Sequence, residues 1–187
     1  MELKLDSIQE IDRMPGGYYP GLMEDLQEFA KSRQKDSRFR HTRGVVQYAK
    51  MYATIFGEDP YKAEAAAWAH DNCKEAGAME HGPAAAELLQ KKFGITDEDV
   101  INAIRWHTTG RPGMSRLECC IKMADLLEPS RDYDNVDELR DRVLASDDLY
   151  ASTLMLLKEM KKAILAQGKE YNTLSDEAIN YLEEMIK

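Results

Sequence analysis

Apolar residues recur at helical spacing along this chain, and no convincing run alternates with period two. Leu22, Leu26, Phe29 and Ala30 share one face of a 3.6-residue repeat, and so do Val45, Val46, Tyr48, Ala49, Tyr52 and Ala53. A half-buried strand needs alternation, so the expected class is all-α and a parallel-sheet nucleotide fold is excluded. The spacing predicts a first helix over about 21–34 and a second over about 37–56. Asp59 before Pro60 reads as an N-cap with a first-turn proline, opening a third helix that reaches about residue 74. Thr96, Ser115 with Glu118, Asn135 with Glu138, and Ser175 read as further starts, and Gly77, Gly94, Gly110 and Gly168 as stops. The sum is about nine helices joined by short polar loops.

With 187 residues, 43% of them hydrophobic, the chain can bury one sizeable core. The expected organisation is a compact single-domain helical bundle over 21–187. It is preceded by a loosely specified N-terminal arm over 1–20 that ends in the turn-forming MPGGYYP.

Charge and cysteine usage narrow the partners. Thirty-four acidic against 25 basic residues give a formal net charge of -9, which repels polynucleotides and anionic lipid surfaces. Cys73, Cys119 and Cys120 form an odd set with an adjacent pair, unlike a secreted disulfide framework. The start, MELKLDSIQEID, has no apolar signal core, and no stretch is long enough to span a bilayer. A cytoplasmic protein with no membrane partner is expected.

Candidate chemistry lies with the four histidines. His41 falls inside the second helix, His70 precedes Asp71 at the end of an Ala-rich helix, His81 precedes a helix, and His107 ends another. Imidazole and carboxylate suit zinc, iron, manganese and similar divalent ions, and helical folds build such sites from side chains distant in sequence. Each residue also has a plainer reading. His107 suits a helix C-terminus through the dipole, His81 a solvated helix entry, and Asp125 in IKMADLLEP a buried carboxylate paired with an arginine. His70-Asp71 is the exception, because AEAAAWAHD gives a buried histidine and acid no packing purpose.

The order His41, His70-Asp71, Asp125 on separate helices resembles the metal signature of the HD-domain phosphohydrolase superfamily. FRHTRGV, AWAHDNCKE, EHG, AIRWHTTG, MSRLE and MADLLEPSR occur in the order seen in its YqeK-like branch of symmetrical bis(5'-nucleosyl)-tetraphosphatases, over residues 38–150. The resemblance implies an HD-type metal-dependent hydrolase that converts diadenosine tetraphosphate into two ADP, working as a homodimer. It implies that His41, His70, Asp71 and Asp125 hold one divalent ion and that His81 and His107 hold a second, with Asp71 bridging. Iron is the first expectation for the pair, with manganese, cobalt or zinc as the others. Two such ions lower the pKa of a bridging water and stabilise an in-line displacement at phosphorus. Two departures fall close together: the Asp71–His81 segment is short for the family, and Asn72-Cys73 replace bulkier residues, which bears on pocket shape.

A dinucleoside polyphosphate, or a nucleoside diphosphate, brings several negative charges into an acidic protein, so local cations are needed. Lys74 is the first candidate, catalytic alongside Asp71, because residues i and i+4 from His70 share a face if the helix continues. Arg111, Arg131 and Arg140 follow, and Thr108, Thr109 and Gly110 could supply hydroxyl and amide donors. An exposed lysine, an Arg131 ion pair with Asp132 or Asp134, and a simple helix stop at Gly110 are the plainer alternatives. Tyr18, Tyr19, Tyr133 and Tyr150 either stack a base or pack. Two rival functions use the same residues: a di-iron oxygenase, distinguished by oxygen dependence, and a non-catalytic nucleotide sensor, distinguished by absent turnover.

Overall fold

The structure, a computed structural model, describes residues 13–187. Among these, nine α-helices follow one another without a strand: α1 Leu22–Arg33, α2 Asp36–Phe56, α3 Pro60–Ala69, α4 His81–Phe93, α5 Glu98–Trp106, α6 Arg116–Leu127, α7 Val136–Leu144, α8 Leu149–Ala166 and α9 Thr173–Met185. Two are buried nearly all round. In α6 every residue from Leu117 to Ala124 is buried, and α3 buries Ala63, Ala65, Ala66, Ala67, Trp68 and Ala69. The small side chains of α3 let α1, α2, α5 and α6 approach it closely, while α8 covers α6 on the other side and carries α9.

Local signals hold where partners are near in sequence. The Asp59 carboxylate accepts from the Tyr61 amide, and Ser115 with Glu118 forms a complete capping box at the start of α6. Gly94 ends α4 in the left-handed region, and Gly168 sits one residue past the cap of α8.

Elsewhere the structure corrects the sequence reading. Helix α3 stops at Ala69, not near 74; a turn follows, then a short 3-10 turn at Lys74–Ala76 that Gly77 closes. Asp97, not Thr96, caps α5; the Thr96 amide instead donates to Gly16 O. Asn172, not Ser175, caps α9. Asn135 precedes α7 with φ +67 and makes no side-chain cap. Helix α5 ends at Trp106, short of Gly110.

The arm expected to be loose is anchored over 13–20, and residues 1–12 lie outside the described range. Tyr18 and Tyr19 are buried, with their hydroxyls donating to Asp97 (3.0 Å) and Asp25 (2.9 Å). Arg13 donates to Phe93 O at 2.7 Å. Gly17 is required here, since a Cβ on it would lie 2.1 Å from Gly94 O. Neither tyrosine is left at the surface to stack a base. Tyr133 donates to Leu126 O, and Tyr150 lies under the Arg116 guanidinium.

Candidate metal centre

Four helix ends and one helix middle converge on a single buried cluster. His41 lies inside α2, His70 caps the C-terminus of α3, Asp71 follows it in the turn, His81 opens α4, and His107 caps α5. Asp125 comes from the last turn of α6. The end of α3 is what makes this work: leaving the helix at Ala69 turns Asp71 back towards the imidazoles instead of carrying it round the helix.

Asp71 is the hub. Its Oδ1 lies 3.3 Å from His81 Nε2 and 3.6 Å from His107 Nε2, and its Oδ2 lies 3.7 Å from His70 Nε2 and 3.8 Å from His41 Nε2. The sets His41–His70–Asp71 and Asp71–His81–His107 are each compact enough to hold a cation. Asp125 joins through His41, its Oδ1 standing 3.1 Å from Nε2 but outside hydrogen-bond geometry. His81 is 1% exposed, which removes the solvated reading; His107 does end its helix, but it also faces the cluster. Asp125 does pair with an arginine, Arg131, as the plainer reading had it, and it faces His41 at the same time.

The tautomers decide what the cluster can bind. Nδ1 of His70, His81 and His107 faces a backbone carbonyl, Ala67 O at 2.7 Å, Gly77 O at 2.9 Å and Ile104 O at 2.8 Å respectively. A carbonyl only accepts, so each Nδ1 must carry a proton, which leaves Nε2 as the ring nitrogen able to coordinate. His41 does the same through Glu128, whose Oε1 is 3.0 Å from Nδ1. Four Nε2 atoms and two carboxylates therefore point into one space. His70 Nε2 has no hydrogen-bond partner, and Nε2 of His81 and His107 stand 2.9 Å apart. Arg38, Lys74, Arg131 and Thr108 reach parts of this group, but a cluster so rich in acceptors favours a cation, and the donor set fits divalent ions of the zinc, iron and manganese kind.

The local electrostatics keep both carboxylates ionised. Burial pushes the Asp71 carboxyl up, but the imidazoles of His70, His107 and His81 overcome it and hold the group well below the usual carboxylate range. Asp125 is held well below as well, with burial again opposed by His41. Burial presses His70 down to about 4, so the ring is neutral and able to coordinate at ordinary pH. Burial also pulls His41 down, but Asp125 and Glu128 outweigh it and raise the ring above the usual histidine value.

The candidates for phosphate contact separate. Lys74 reaches the centre although α3 does not continue, its Nζ 3.1 Å from Asp71 Oδ1 and 3.0 Å from His81 Nε2. Thr108 Oγ1 lies 3.1 Å from His81 Nε2 and 3.3 Å from His107 Nε2. Arg131 pairs with Asp125, donating to Oδ1 at 2.7 Å and to the main-chain oxygen at 2.8 Å, not with Asp132 or Asp134. Thr109 is half-buried.

Three other candidates are turned to structural work. Arg111 is bound by the buried carboxylate of Glu118. Arg140 makes four hydrogen bonds, to Leu127 O, Glu128 O, Arg131 O and Asp137, and so ties down the C-terminus of α6. Gly110 is buried with φ +72, and Met114 Sδ lies 3.0 Å from where its Cβ would stand, so the turn of the chain accounts for a glycine there. The unusual Asn72-Cys73 pair also points inward: Asn72 accepts from Gln34 and donates to Trp68 O, and Cys73 is buried.

Three residues of the site escaped sequence reasoning. Arg38 donates to Asp71 Oδ2 at 2.8 Å. Glu128 backs His41, and Lys122 is buried against the carbonyls of His107 and Thr108. Arg38 was legible in principle, one helical turn before His41 on the same face; the other two roles depend on how distant elements meet.

Fold and centre together define a class: a helical domain that gathers histidines and aspartates from successive helices around room for divalent ions. The HD domain family model matches residues 38–130. The symmetrical bis(5'-nucleosyl)-tetraphosphatase of Bacillus subtilis (strain 168) is 36% identical over 157 residues, covering 72% of this chain and 83% of the relative. That of Staphylococcus aureus (strain NCTC 8325 / PS 47) is 30% identical over 192 residues, covering 88% and 98%. A crystal structure described as a predicted HD superfamily hydrolase involved in NAD metabolism, from Clostridium acetobutylicum, superposes with a TM-score of 0.76 at 33% identity over 87% of this chain and 97% of that one. The chain belongs to the HD domain family, and its relatives are hydrolases. Nothing in them supports the oxygenase reading. Among the described residues no helix is long and apolar enough to cross a membrane.

Proposed function

We propose that the protein hydrolyses dinucleoside tetraphosphates symmetrically, converting diadenosine tetraphosphate and water into two ADP. The observation that carries this reading is the convergence of four imidazole Nε2 atoms and two carboxylates beside a cationic rim of Arg38, Lys74 and Arg131. The names of the relatives supply the substrate.

His41, His70, Asp71 and Asp125 would hold one divalent ion, and Asp71, His81 and His107 a second, with iron as the first expectation. When bound, such a pair supplies Lewis acidity towards phosphate oxygens and makes a water easier to deprotonate. The remaining work belongs to the chain's own groups. Lys74 and Arg38, both on Asp71 and both partly exposed, can turn to phosphate oxygens and offset their charge. Arg131 does the same from the α6 side, with its planar fork suited to two oxygens at once. The Thr108 hydroxyl donates towards the same space, and the four backed imidazoles hold their orientation with Nδ1 protonated. Burial of the histidines and Asp71 excludes bulk water and strengthens each of these contacts.

The test is anaerobic purification, metal quantification per chain, and product analysis with diadenosine tetraphosphate beside mononucleotides and cyclic dinucleotides. ADP should be the single nucleotide product, formed without oxygen, and Asp71→Ala should lose both metal loading and turnover. Release of ATP with AMP, or strict dependence on oxygen, would overturn the assignment. Saturable binding without turnover would favour a sensor.

A further inference from the structure

Three of the four histidines lean on main-chain carbonyls, and only His41 leans on a side chain. That side chain, Glu128, is 1% exposed and belongs to the residue that ends α6. Its carboxylate is built in place. Oε1 accepts from Ser130 Oγ at 2.5 Å and faces His41 Nδ1 at 3.0 Å, while Oε2 accepts from the Ser130 amide at 2.7 Å. Pro129 between the two residues restricts the chain direction that brings Ser130 back onto the carboxylate.

Helix α2 makes room for it. Gly44 lies within α2, where glycine is less favourable than alanine, and it needs no left-handed backbone there. Its place is explained by space: a Cβ would lie 2.2 Å from Glu128 Oε2 and 3.2 Å from Glu128 Cβ. His41 and Gly44 are one helical turn apart, so a single stretch of α2 offers the imidazole and the notch that receives the carboxylate behind it.

We propose that Glu128 is a positioning residue that fixes the proton of His41 on Nδ1 and makes the His41 side the tighter of the two cation positions. A carboxylate is a stronger acceptor than a carbonyl and leaves the opposite ring nitrogen a better ligand. The His41 side also gathers four candidate ligands, against three around His81 and His107. The ions therefore load in order, the His41 side first. This rests on the two-cation reading above, and metal binding tests the two separately.

Metal-stripped full-length protein is titrated with cobalt(II), following visible d–d absorption and bound cobalt per chain, with circular dichroism as a check on folding. Wild type should take up two cobalt ions in two phases. Glu128→Gln should weaken the tight phase about 10- to 100-fold and leave the weak phase in place. Gly44→Ala, which pushes on the same carboxylate from α2, should reproduce that selective loss even if Glu128→Gln fails to fold. His81→Ala should do the reverse, keeping the tight phase and losing the weak one. Unchanged cobalt affinity in folded Glu128→Gln and in Gly44→Ala, or equal weakening of both phases, overturns the positioning role while the metal reading stands. A wild-type protein that takes up no cobalt overturns both.

Discussion

Lys122 has an unusual position for a lysine. It is 6% exposed on α6 and donates from Nζ to His107 O at 3.0 Å and to Thr108 O, so one ammonium holds the turn that carries His107. Burial pushes its pKa down to about 8, against 10.5 in the unfolded chain, with Asp125 opposing only in part. Between those values the unfolded chain keeps a proton that the folded one has released, so this group makes stability rise with pH from about 8 to about 10.5. Below about 8 the cost of the buried charge is present in full. Cys119 and Cys120, with thiols pushed by burial to about 12 and higher, work in the opposite direction above pH 9. Comparison with Lys122→Met cancels the cysteines. Urea unfolding of metal-free protein at a series of pH values should show wild type gaining on the variant by on the order of 3 kcal/mol across that window. A constant difference would mean that Lys122 keeps an ordinary pKa.

Helix α6 carries Asp125 at one end and a capping box at the other. Ser115 Oγ accepts from the Glu118 amide at 3.1 Å, and Glu118 Oε2 accepts from the Ser115 amide at 2.8 Å. Ser115→Ala should lower stability by about 1 kcal/mol, read as a lower urea midpoint, with metal content unchanged because the cap is remote from Asp125. This cap was legible in the sequence because both partners lie within four residues. So was Asp59 with Pro60, and so was the all-helical class, which needs only the spacing of apolar residues. The misread starts at Thr96 and Ser175 share a cause: each has another acceptor nearby, Asp97 and Asn172, and the approach of the chain selects between them. At Thr96 the deciding contact is with Gly16, some eighty residues away. The end of α3 was hidden because an alanine run favours helix locally, whereas the turn at Asp71 answers to imidazoles on three other segments. The aspartates and histidines could be picked out by type and order. Glu128 and Lys122 could not, since a lone charge in an apolar helix looks alike whether it faces solvent, a carbonyl or an imidazole.

The whole molecule is organised around that shared point, and this sets how it should respond to metal removal. Helices α2, α4, α5 and α6 and the turn after α3 each contribute acceptors to the centre, so ions bound there would add a shared link to segments that otherwise meet through apolar packing and scattered hydrogen bonds. Without ions, Arg38, Lys74 and Arg131, all partly exposed, bring positive charge to Asp71 and Asp125, while His70 Nε2 stays unpaired. A ligand present at a hundred times its Kd and bound only by the folded state adds about 2.7 kcal/mol, and two independent sites add roughly twice that. For a domain of this size, about 2 to 4 °C per kcal/mol gives a rise in Tm of about 10 to 20 °C. Thermal unfolding of loaded protein, before and after a chelator, should show a fall of that order and recovery when a divalent ion is restored. Asp71→Ala removes the carboxylate shared by both ligand sets, so its Tm should lie near that of the stripped wild type and ignore the chelator. An equal chelator response in that variant would place the stabilising ion elsewhere on the molecule, away from the cluster that links these five segments.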